Sequence, residues 1–223
     1  MSKRIIYSCI TLQKELEKTI EKIGFDGKVH YLNVELHSDP QKMHRTLQGL
    51  IDENTEAEEI VICVSGCGKA TCDLQATTCN IAVPRTMDCI DVLLTGSGIK
   101  RPDGAIFITK SWMSFMKNSS IDYARLVQER GREEAEEFLK KLYHGFTDFY
   151  IIDTGTYALE EVEAYIMPLV KLLNGTLNRL PGPYKVLEKL VSGNYDASVI
   201  SIPKGGTLSI HEFDGLRPCT IKK

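Results

Sequence analysis

The sequence predicts an α/β fold: an open, mostly parallel, Rossmann-like sheet with helices on both faces. Short apolar runs alternate with longer segments of helical period, the order expected of successive βαβ units. Runs such as Ile60-Val61-Ile62-Cys63-Val64 are apolar without alternation, as in strands buried on both faces. The 223 residues, 43% hydrophobic and 26% charged, can bury a sizeable core without structural staples.

Taken in order, Ile5-Ile6-Tyr7-Ser8-Cys9 is a first strand, and residues 12–23 form a helix with Leu12, Leu16, Thr19, Ile20 and Ile23 inward. Residues 29–34 give a second strand, and residues 41–52 a helix. Residues 60–64 give a third strand, followed by a turn at Ser65-Gly66-Cys67-Gly68. Ile81-Ala82-Val83 is a short strand closed by Pro84, and residues 90–94 begin a helix. Beyond it, strands are expected at 105–109, 149–153 and 197–202. Helices are expected at 123–142, 160–173 and 184–190, with an antiparallel edge strand at 207–213 after Gly205-Gly206. The chain reads as one α/β domain over residues 1–223, with residues 96–104 the place where two lobes would divide.

Composition narrows the function classes. Twenty-seven basic against thirty acidic residues leave a net charge of −3, which argues against a nucleic-acid binder held by phosphate neutralisation. The start shows no apolar signal core, and no apolar run is long enough to span a bilayer, so a cytoplasmic location without membrane attachment is expected. The mixed charges of residues 129–141 read as a solvated helix face.

Seven cysteines stand out, five of them between Cys63 and Cys89. In a reducing compartment they are thiols, ligands or nucleophiles rather than disulfides. Cys9 ends the first strand, Cys67 follows the third and Cys89 follows the fourth. In a parallel sheet the loops after these strands emerge along one edge, where ligands favour the point of strand-order reversal. Three thiolates there could hold an iron–sulfur cluster or zinc, with Cys72 or Cys79 as a further ligand. The opposing reading is independent buried thiols, which pack as small hydrophobes. That reading leads for Cys63, and Cys219 reads as incidental.

Other residues could complete such a site. Gly66 and Gly68 could offer backbone amides to an anion or a cluster sulfur. Arg85 could clamp a carboxylate or phosphate, and Asp88 could cap the helix carrying Cys89. Lys69 reads as solvent-facing, since the P-loop pattern is absent. His30, His37 and His44 lie seven apart but cross element boundaries, so no ordered ligand row is expected. Trp112 and Asp153 follow later strands and could line the same edge if the second half continues the sheet.

Ser8-Cys9-Ile10-Thr11-Leu12, Ser65-Gly66-Cys67-Gly68 and Val83-Pro84-Arg85-Thr86-Met87-Asp88-Cys89-Ile90 together resemble the family called domain of unknown function 1638. The resemblance spans residues 4 to about 205 and implies an α/β protein with cysteines gathered near strand ends. It also implies an association with corrinoid-dependent methyl-transfer systems in anaerobic or metabolically versatile microbes. Family members often carry histidine before the Asp-Cys pair; Met87 stands there in this chain, so acid–base chemistry by that histidine is lost.

The leading expectation is a cysteine-ligated metalloprotein carrying an iron–sulfur cluster, with a redox or accessory role in corrinoid or one-carbon metabolism. A zinc-dependent methyltransferase-like enzyme is a second reading. A non-catalytic small-molecule or cofactor-binding accessory protein is a third. A small-molecule or corrinoid-system partner, and a homodimer, are compatible with each.

Overall fold

A computed structural model describes residues 3–33, 35–36 and 39–216, with the side chain of Cys67 outside the description. Val34, His37 and Cys219 also lie outside the described residues. The chain divides into two compact units, residues 1–98 with 183–223 and residues 99–182. Both are α/β, and their strands form two separate, mostly parallel sheets.

The first unit carries β1 (Arg4–Cys9), β2 (Lys28–Leu32), β3 (Glu59–Cys63), β4 (Asn80–Pro84) and β8 (Val199–Ile202). They lie in the order β2-β1-β3-β4-β8, with β8 antiparallel to β4 and the other pairs parallel. The side-chain period of two sorts the residues. Cys9, Ile60, Ile62, Val64, Ile81 and Val83 join one core cluster with Met43, Leu47 and Ile51 of α2 (Pro40–Asp52). Ile6, Ser8, Val61 and Cys63 alternate with them along the same strands and are fully buried. Helix α1 (Gln13–Ile23) ends at Gly24, whose left-handed backbone (φ 72°) accommodates the cap. Helix α2 starts by the local rules: the Asp39 carboxylate accepts the Lys42 N–H at 2.9 Å, and Pro40 takes the first position, where no N–H is needed. Helices α3 (Cys89–Leu94) and α8 (Lys185–Ser192) complete the unit.

The second unit contains β5 (Ile106–Ile108), β6 (Asp148–Asp153) and β7 (Thr176–Pro181) as a parallel sheet in that order. Its core gathers Ile108, Phe149 and Ile151 with Met113, Leu126, Leu139, Val162 and Ile166 from α4 (Lys110–Lys117), α5 (Tyr123–Arg130), α6 (Arg132–Leu142) and α7 (Leu159–Leu172).

Several expectations change here. The continuous helix expected over 123–142 is two, because Gly131 sits at φ 80°, ψ 162°, closing α5 and opening α6. The expected edge strand at 207–213 is one antiparallel bridge, Gln75 with Thr207, followed by a 3₁₀ turn at Ile210–Phe213. Helix α4 and strand β7 had no counterpart in the sequence reading. Strand β7 is a largely exposed edge strand, so it lacks the apolar run that marks the others.

Candidate functional site

The strand order reverses at β1: the chain steps from β1 to β2 on one side, then to β3 and β4 on the other. The segments following β1 and β3 therefore diverge at one edge of the sheet, the place where open α/β sheets leave a crevice. Small polar side chains are buried there. Ser8, Thr11 and Glu15 come from the end of β1 and the start of α1, Ser65 and Thr71 from the segment after β3, and Thr86 and Asp88 from the segment after β4. The Ser65 and Thr86 hydroxyls lie 2.9 Å apart, and the Gly66 N–H donates to the Thr86 carbonyl at 3.0 Å. These bonds tie the segments after β3 and β4 together.

The sulfur atoms have separate environments. Cys9 is buried at the end of β1, its Sγ 3.1 Å from the Thr11 hydroxyl. Cys72 and Cys79 pack with Cys9 in the core cluster on the α2 face, while Cys63 and Cys89 lie outside it. Cys63 is fully buried, and desolvation pushes its thiol up to about 12 against a small opposing pull from Arg4. Burial, then Asp73, raises the Cys72 thiol, while Lys69 acts the other way. Cys89, first residue of α3, is half-buried.

This overturns the iron–sulfur and zinc expectation. Among the described residues, no three His, Cys, Asp or Glu side chains come together as a group able to hold a metal ion. Strand ends bring backbone segments to one edge, but Cys9, Cys72 and Cys79 pack as small apolar side chains in the core cluster, and Cys89 at the start of α3 is not part of it. The Cys67 side chain lies outside the described residues. The metalloprotein and zinc-enzyme readings are withdrawn with that site.

The remaining candidates have the following places. Arg85 donates from Nε to the Glu212 carbonyl at 2.7 Å and from Nη2 to the Asp214 carbonyl at 3.1 Å, fastening the C-terminal 3₁₀ turn. Asp88 caps α3 by accepting the Asp91 N–H at 2.9 Å. The Gly66 position faces the Phe213 ring, which a Cβ would meet at 3.3 Å. Gly68 (φ 60°) passes so close to Pro40 that a Cβ would lie 2.5 Å from its Cγ. Trp112 and Asp153 belong to the second unit, whose strands form their own sheet, so the continuation that would have grouped them with the cysteines does not occur. Trp112 packs on that unit's core, and Asp153 accepts the Gly155 N–H at 3.0 Å in a turn.

A groove of about 520 Å³ opens beside this edge, walled by the first turns of α2, by residues 68–73 after β3, and by Ile210. Its size falls within the roughly 300–1,000 Å³ of small-molecule sites. The sequence pattern does not mark His44 and Arg45 as groove residues; Lys69 is solvent-facing as expected, and it also lines the groove. Glu15 is likewise unmarked, although its spacing from inward-facing Thr19 places it on the buried side of α1.

The family model described as "Protein of unknown function (DUF1638)" matches residues 31–191. The chain belongs to the DUF1638 family. No curated protein and no solved structure matches it. Within the DUF1638 match lie the segments after β3 and β4 and the whole of the second unit; β1, with Cys9, lies before it.

Proposed function

We propose that this DUF1638 protein is a non-catalytic small-molecule-binding accessory protein. Its ligand site is the carboxyl edge of the five-stranded sheet, and its partner is a corrinoid-dependent system. The observation that carries this reading is the strand-order reversal at β1, with buried polar side chains on the segments that follow β1, β3 and β4. We read the first unit as Rossmann-like on the same ground, and the second unit as a separate α/β lobe.

Two of the cysteines are unsuited to nucleophilic chemistry. A buried, neutral thiol is a poor nucleophile, and burial holds Cys63 and Cys72 in that form. Short hydroxyl side chains and backbone amides supply donors and acceptors that orient a ligand without transferring a group to it.

A thermal-shift screen of small metabolites, with methylcobalamin included, tests the reading. We expect at least one compound to raise the melting temperature. Cys89→Leu, which fills space at the half-buried start of α3, should weaken that compound by about tenfold, near 1.4 kcal/mol. A screen without any stabilising compound, or a compound bound equally by Cys89→Leu, would overturn it.

A further inference from the structure

We propose that the groove between α2 and residues 68–73 binds an anionic small molecule, a carboxylate or phosphate ester carrying an apolar portion. The proposal goes beyond the small-molecule reading above: the groove lies beside the strand edge, and Cys89 is not among its lining residues.

Charge is the first argument. Arg45 and Lys69 line the groove, and among the described residues neither is in an ion pair. Other cations are neutralised within the chain, as where Lys22 meets Glu188 at 2.5 Å, Arg125 meets Glu129 at 2.7 Å, and Arg179 meets Glu163 at 2.8 Å. Two basic side chains on one concave surface face a single lining carboxylate, Asp73. Such a surface favours an anion, with Arg45 able to offer a planar fork and Lys69 a point charge.

Hydrogen bonding is the second. The His44 Nδ1 lies 3.2 Å from the Ala70 carbonyl oxygen. A carbonyl only accepts, so Nδ1 donates, and the bond ties α2 to the segment after β3 along the groove. The backbone of the loop is shaped to approach α2 closely. Gly68 and Lys69 are both left-handed (φ 60° and 65°), and the missing Cβ of Gly68 allows the loop to rest against Pro40.

The third is the apolar wall. Pro40 and Ile210 line the same groove, and Ile210 is one of the few large hydrophobic side chains left exposed, at 38%. An inorganic ion would leave that wall in water. An ester or acid with a ring or alkyl group covers it.

Isothermal titration of the full chain with phenyl phosphate and with phenylacetate tests this, with benzyl alcohol as the uncharged control. Arg45 and Lys69 are exposed, so the double variant R45Q/K69Q removes both charges without touching the core. We expect one or both anions to bind, with the stronger arm naming phosphate or carboxylate. Their affinity should fall about tenfold or more in R45Q/K69Q, as for loss of a charge-assisted hydrogen bond. Added salt should weaken the anions and leave benzyl alcohol unchanged. Anions bound equally by wild type and R45Q/K69Q would overturn the proposal. Benzyl alcohol bound as tightly as the anions, and lost in Ile210→Asp, would overturn the anionic class while leaving the small-molecule reading standing. Failure of all three probes would overturn the proposal, while the metabolite screen with Cys89→Leu judges the broader reading separately.

Discussion

A thiol reacts only as its anion, so the cysteines of this chain differ by environment more than by position. Cys63 has no exposed surface, and burial carries its pKa up from 9.0 to about 12. Cys89 is half-buried at the start of α3. At pH 9.0, the ordinary thiol value, iodoacetamide should therefore modify Cys89 in the native protein and leave Cys63 intact until denaturant is added. The sign follows from the raised pKa: Cys63 stays a neutral thiol over the whole range below its folded value. Peptide mass spectrometry reads the result, and early labelling of Cys63 would contradict the burial argument. The sequence already marked Cys63 as core, because Ile60-Val61-Ile62-Cys63-Val64 is uniformly apolar. It could not assign Cys72 and Cys79, which lie in an irregular segment without a periodicity to say which way a side chain turns.

At the level of elements, glycine and the short polar residues draw the boundaries. Asp39, Asp88, Thr109 and Asp122 each accept a backbone N–H from the first turn of the helix they precede. Asp88 was legible as a cap from its place before an apolar run. Gly131 was not legible as a break, because the charged residues on both sides keep helical spacing straight through it. Its backbone, φ 80° and ψ 162°, lies in a region open essentially to glycine, and a Cβ there would meet nothing within 4 Å. Gly131→Ala should thus destabilise by about 1–3 kcal/mol through backbone strain alone. Urea denaturation checks this; an unchanged midpoint would mean that α5 and α6 can fuse without cost.

For the molecule as a whole, the return of the chain into the first unit is held by Arg4. Its Nε donates to Glu59 at 2.6 Å, and its two Nη atoms donate to the carbonyls of Val191 and Leu190 at 2.7 and 2.6 Å. The Tyr195 hydroxyl accepts from Arg4 at 2.8 Å and donates to Glu59 at 2.7 Å. The network joins β1 and β3 to the end of α8, which lies more than half the sequence away. Arg4→Met should cost about 2–3 kcal/mol, since it leaves a largely buried carboxylate without its cation and two helix-end carbonyls without donors. Tyr195→Phe should interact with it non-additively in a double-mutant cycle. Additive losses in chemical denaturation would show that the three groups do not act as a unit.

The sequence by itself determined the α/β class, the first four parallel strands and the edge at which their following loops emerge, because strand and helix periodicities are local properties. Only the tertiary structure decided which strands share a sheet. Strands β5 and β6 carry apolar runs that could have extended the first sheet, yet they pair with each other and with β7, while β8 takes the edge beside β4. The fate of the cysteines was decided in the same way: nearness of strand ends follows from topology, but a ligand shell needs side chains that converge, and Cys72 and Cys79 turn into the core. The groove belongs to this second category as well. Arg45, Lys69 and Ile210 become neighbours of one cavity only after α2, the segment following β3 and the returning chain have packed together.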